Sequence, residues 1–119
     1  MSKEEIPPWL REQLARFDQL QQSLQAILIQ KQQVEMEIAE IERAVGELKK
    51  ASPEETVFKL AGSILIKVKR DDMLKELEEK REIANTRSLV LAKQETRVRE
   101  NVKSLQAKID ETLHPKPPS

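Results

Sequence analysis

Apolar side chains recur in alternating steps of three and four residues from Leu10 to Leu48, through Phe17, Leu20, Leu24, Ile27, Val34, Ile38, Ile41 and Val45, and only Gln13 and Lys31 interrupt the series. A helix turns once every 3.6 residues, so this spacing draws one apolar seam along a helix whose other faces stay polar. The repeat predicts a helix over residues 8–50, roughly 60 Å long at about 1.5 Å per residue, and the seam calls for a partner helix. Pro8 suits the first helical turn, where its missing N–H is no loss. The glutamines between Gln13 and Gln33, followed by Glu35, Glu37, Glu40 and Glu42, read as the solvated face.

The partner lies further along the same chain. Leu74, Leu77, Ala84, Leu91, Val98, Val102, Leu105 and Ile109 repeat the stepping, interrupted at Arg81, Ser88 and Glu95. They predict a second helix over 72–113, capped by Asp71 or Asp72 and supported by pairs such as Glu76 with Lys80 and Glu95 with Arg99. The Pro-rich segment 114–119 is expected to be a disordered tail. Composition agrees with a coil in place of a compact core: 35% of residues are charged, 3% are aromatic, and cysteine and tyrosine are absent.

Between the helices the pattern changes period. Ser52-Pro53 breaks the first helix, and residues 56–69 alternate in steps of two around Ala61-Gly62-Ser63, which predicts a β-hairpin with Gly62 in its turn. Ile64, Ile66 and Val68 share one face, with Leu65, Lys67 and Lys69 on the other. A connector of this length lets the two helices run antiparallel. Val45 then faces Leu77, Ile38 faces Ala84, Leu24 faces Val98 and Phe17 faces Leu105. Lys31 and Glu95 fall about one turn apart; either they meet and fix register, or both side chains reach to water independently.

Two surfaces are left without cover. A lone two-stranded hairpin is marginal in water and has two open edges, so it either pairs with hairpins of other chains or tucks against its own helix ends; the helices leave from its base, which favours the first. Where the termini meet, Ile6, Pro7, Pro8, Trp9, Leu10 and Leu14 gather with Ile109 and Leu113. That cluster is either a protein-binding surface or a frayed end with a hydrophobic staple.

Several function classes are excluded or disfavoured. Lys plus Arg equals Asp plus Glu at 21 each, with signs mixed along the chain, so no basic stripe suits nucleic acid. No apolar run approaches the length of a membrane span, and the polar start MSKEEIPP lacks the regions of a secretory signal, so a cytoplasmic location is expected. His114 is the only histidine, there is no phosphate-binding glycine loop, and the carboxylates are interleaved with Lys and Arg. No catalytic residues, no metal site and no cofactor are therefore expected, and the chain is not read as an enzyme.

Helix, single hairpin and helix, with Glu55-Thr56-Val57-Phe58-Lys59-Leu60-Ala61-Gly62-Ser63-Ile64-Leu65-Ile66-Lys67-Val68 running into Arg70-Asp71, closely resembles the beta-type subunit of prefoldin, particularly the archaeal form, over nearly the whole chain. The resemblance implies a mainly α fold: a long antiparallel two-helix coiled coil whose single hairpin joins those of other subunits in a β-barrel body. It implies two alpha-type and four beta-type subunits in an ATP-independent holdase, which grips non-native polypeptides at its coil tips and passes them to a group II chaperonin. The barrel-forming role then falls on Val57, Phe58, Leu60, Ile64, Leu65, Ile66 and Val68. The client-holding role falls on Ile6, Trp9, Leu10, Leu14, Ile109 and Leu113. The alternative is a structural coiled-coil scaffold or spacer with a folded partner and no hold on unfolded chains.

Overall fold

The computed structural model describes residues 6–115. Its elements are α1 (Pro8–Lys49), β1 (Thr56–Ala61), β2 (Ile64–Lys69) and α2 (Arg70–Leu113). The polar residues 1–5 and the tail from residue 116 onward lie outside the described residues.

The chain divides into two compact units. One comprises α1 up to Lys31 with α2 from Leu91 onward; the other is Gln32–Val90, which holds the hairpin. In the first unit Leu10, Leu105 and Ile109 are buried together, with Phe17 and Leu20 packed against them, and Leu24 and Leu91 are buried as well. In the second, Ile41, Val45 and Leu77 form the core, backed by Ala44, Leu48, Met73 and Leu74. Val34 and Ala84 are each only 1% exposed. All of these buried residues occupy positions of the three-four repeat, so the seam accounts for the core in each unit.

Helix α1 ends by tightening. The N–H of Lys50 donates to the Glu47 carbonyl at 3.2 Å and that of Ala51 to the Leu48 carbonyl at 3.1 Å, the i→i−3 pattern of a closing turn. Pro53 then occupies a turn closed by the Glu55 N–H on the Ser52 carbonyl at 3.0 Å, a place where its fixed φ is an advantage. The hairpin register pairs Val57 with Val68, Lys59 with Ile66 and Ala61 with Ile64 on one face, and Thr56 with Lys69, Phe58 with Lys67 and Leu60 with Leu65 on the other. Gly62 has φ 63° and no described non-glycine residue has positive φ, so only the first central residue of the turn is left-handed, as in type II′.

One local expectation needs correction, and two contacts go beyond the sequence reading. Helix α2 starts at Arg70, directly from the strand, so Asp71 and Asp72 lie inside its first turn and act on the helix dipole, not as the cap. Glu76 pairs with Lys59 of β1 at 2.5 Å, and the Lys80 charge also favours its carboxylate. The hairpin also leans on its own helix at the base: Val57, Lys59 and Val68 are half-buried, and Lys59 and Val68 share a small cleft with Asp72, Met73 and Glu76 of α2.

The two glycines have opposite sensitivities. Gly46 lies in the interior of α1, and an added Cβ meets nothing within 4 Å. Gly46→Ala should stabilise the chain by about 0.5–1 kcal/mol through helix propensity alone. Gly62→Ala should destabilise it by about 1–2 kcal/mol, because φ is positive there. Urea unfolding followed by circular dichroism separates the two, and a stabilising Gly62→Ala would contradict the turn assignment.

Candidate functional site

Among the described residues, both apolar surfaces keep exposed side chains. On the hairpin, Phe58, Leu60 and Leu65 share the face opposite that of Val57, Lys59 and Val68, and they are 62%, 69% and 67% exposed. Ile64 and Ile66 lie on the opposite face towards the turn and are exposed too. Of the seven residues expected to form intersubunit structure, only Val57 and Val68 are partly covered, by the lean of the hairpin base. The sheet has just two strands, so the outer edges of β1 and β2 both carry unpaired backbone groups. Beside the edge of β1 a groove of about 340 Å³ is floored by Leu48, Met73 and Leu77 and flanked by Val57, Phe58 and Leu60.

At the end of the coil that carries the termini, the structure divides the expected cluster. Ile6, Trp9, Leu14 and Leu113 are exposed, between 38% and 51%. Leu10 and Ile109 are not surface residues: each is 8% exposed and packs with Leu105. The expectation that the last apolar layer stays open is thus corrected, because Phe17 and Leu20 back that layer and let it close. What remains open is a rim around it. Arg11 helps to hold the approach to the helix, its guanidinium donating to the Ile6 carbonyl at 3.2 Å.

Electrostatics in this unit centre on Glu95. The Lys31 ammonium donates to Glu95 Oε1 at 2.7 Å and the Arg99 guanidinium to Oε2 at 2.8 Å. Two of the five polar interruptions of the paired seams, Lys31 and Glu95, therefore meet. Hydrogen bonds from Lys31, then Arg99, hold the Glu95 carboxyl below its ordinary value of 4.5 against the opposing effect of burial. Among the described residues no group of three or more His, Cys, Asp or Glu is placed to hold a metal ion, and no helix is long and apolar enough to cross a membrane.

Sequence reasoning missed a second set of exposed apolar residues: Ile29 and Met36 on α1, and Ile83, Leu89 and Val90 on α2. Their signal was available, since all five fall off the three-four steps of their helices. It also missed the contacts of Lys59 and Arg70, which depend on how the chain folds back on itself.

Comparison with known proteins places this architecture. The family model described as "Prefoldin subunit" matches residues 11–115. The chain is 40% identical to prefoldin subunit beta of Archaeoglobus fulgidus, over 93% of this chain and 96% of that one. It is 38% identical to prefoldin subunit beta of Pyrobaculum arsenaticum, over 92% and 88%. The crystal structure of the prefoldin beta subunit from Thermococcus strain KS-1 superposes with a TM-score of 0.85 at 33% identity, covering 94% of this chain and 98% of that one. The beta2 subunit of the same source shares the fold, with a TM-score of 0.69 at 23% identity over 76% and 97%.

If the Lys31–Glu95 contact couples the two helices, Lys31→Met and Glu95→Gln each lower the melting temperature, and the double variant loses less than the two combined. The pH dependence has a definite sign. A carboxyl with a depressed folded pKa adds stability that is fully present above 4.5 and is lost as pH falls through the lower folded value. The acid side of the stability profile should therefore be shallower in Glu95→Gln than in wild type, and additive melting losses would show that the two groups act independently.

Proposed function

The chain belongs to the prefoldin subunit family, in its beta branch, and from that premise we propose that it is one subunit of an ATP-independent holdase assembled through its hairpin. The observation that carries the reading is the exposed rim of Ile6, Trp9, Leu14 and Leu113 around a closed layer of Leu10, Leu105 and Ile109. A sound core beneath an exposed apolar rim offers a firm, small, non-directional contact, which suits a partner that lacks a fixed shape. Each rim is too small to bind tightly alone. Several copies in one assembly gain avidity without any new contact, and release needs no nucleotide because each contact is weak.

Assembly is the role we assign to the hairpin, with Phe58, Leu60, Ile64, Leu65 and Ile66 as the principal contacts. Its partners in this reading are alpha-type prefoldin subunits and further beta-type copies, two and four in all. The clients are non-native polypeptides, received afterwards by a group II chaperonin. An exposed hairpin with two open edges is a hazard for a free chain and an asset for a subunit, because neighbouring strands satisfy the edges and the apolar face together. The setting is expected to be the cytoplasm.

Dilution of a chemically unfolded test protein into the assembled complex without ATP, followed by light scattering, tests this reading. Wild type should suppress aggregation. Combined Trp9→Ser, Leu14→Ser and Leu113→Ser should weaken the apparent hold about tenfold or more, since loss at each arm multiplies through avidity, and should leave helix content unchanged. Leu10→Ala should behave differently, lowering stability by about 2 kcal/mol or more through the cavity it opens. A verified assembly that gives no protection would move the reading to a structural spacer.

A further inference from the structure

On the face of the hairpin that leans towards α2, every residue but one is apolar: Val57, Ala61, Ile64, Ile66 and Val68 surround Lys59. A lysine there is costly unless its ammonium finds a partner, and it finds Glu76, in the second turn of α2, at 2.5 Å. Both side chains are about one-third exposed, at 32% and 34%. Hydrogen bonding from Lys59 holds the Glu76 carboxyl below its ordinary value.

A second tie lies at the base of the hairpin. The Arg70 Nε donates to the Leu48 carbonyl at 2.9 Å, a second donor beside the Ala51 N–H on an acceptor at the end of α1. Its Nη1 pairs with Asp71 at 2.8 Å, and its backbone N–H donates to the Glu55 carbonyl at 3.0 Å. One residue thereby connects the last turn of α1, the peptide leading into β1 and the first turn of α2. Its side chain is only 15% exposed. No glycine lies between Gly46 and Gly62, so the junction has no soft point in the peptide leading into the hairpin.

We propose that Lys59, Glu76 and Arg70 form a clamp that sets the angle of the hairpin against α2 and so presents Phe58, Leu60 and Leu65 outward for assembly. This rests on the reading of the hairpin as the assembly surface. Lys59 is a positioning residue: it touches its own helix, and its effect on assembly passes through the face on the other side of the sheet. The clamp also decides which face is available. With the base of the Val57–Val68 face drawn onto α2, that face stays open only at Ile64 and Ile66 towards the turn, while the Phe58 face is open along Phe58, Leu60 and Leu65. Preorganisation of this kind lowers the cost of association, because the hairpin needs no ordering when partners meet.

Charge exchange separates the clamp from general stability. Lys59→Glu and Glu76→Lys each place like charges together, whereas the double exchange restores an opposite pair in reversed order. In the isolated full chain, amide hydrogen exchange over residues 56–61 should quicken about tenfold in each single variant and return close to wild type in the double. Mixed with an alpha-type subunit and followed by sedimentation velocity, the single variants should assemble about tenfold more weakly, with recovery in the double. Arg70→Ala should match the single reversals in both readouts while helix content holds. Three results would overturn the clamp: wild-type exchange in the single reversals, faster exchange with unchanged assembly, or a double exchange that recovers neither. A Phe58→Asp variant that assembles normally would sink the hairpin reading itself, and the clamp's role with it; the exchange rates distinguish this outcome, because they are measured with no partner present.

Discussion

Every fully buried apolar side chain described in this protein sits on the three-four repeat of one helix or the other. The rest of the structure depends on that constraint. With so few aromatic residues the chain cannot fill a three-dimensional core, and burial is confined to a line where two helices face each other. A line of contact buries its own seam and little else. The hairpin face and the exposed residues beside the terminal layer stay open because the described residues form no second layer to cover them.

The seam also explains why a charged pair is tolerated within it. Lys31 and Glu95 are partly exposed, reach each other at 2.7 Å, and gain Arg99 as a third member. In a seam of interchangeable aliphatic side chains, a slip by one heptad costs little in apolar packing. It would separate Lys31 from Glu95 on the facing helix. A polar pair contributes selectivity of register in such a setting, more than it contributes strength.

Most of this fold was legible because its determinants are periodic and local. Steps of three and four mark helices, steps of two mark strands, and Gly62 marks the turn between them; none of these signals needs knowledge of distant contacts. The start of α2 was not legible, because Arg70 is held by the Leu48 carbonyl and by Glu55, which approach only after the chain has turned back. The second partner of Glu76 was missed for the same reason. On its own helix Lys80 is the natural choice, and Lys59 competes only once β1 lies alongside α2. The terminal surface was half legible: sequence places six apolar residues together, but whether Leu10 and Ile109 close over Leu105 is a matter of packing that periodicity does not encode.

In the proposed function the two uncovered surfaces have separate tasks, one for joining subunits and one for holding unfolded chains. Hydroxyl-radical footprinting tests this division most directly, since it reports the exposure of individual side chains in three states: chain alone, assembled complex, and complex with an unfolded client. Phe58, Leu60 and Leu65 should lose reactivity on assembly and change no further when client is added. Trp9, Leu14 and Leu113 should stay reactive through assembly and lose reactivity with client. Protection of the terminal residues on assembly, or of none of them with client bound, would contradict the division.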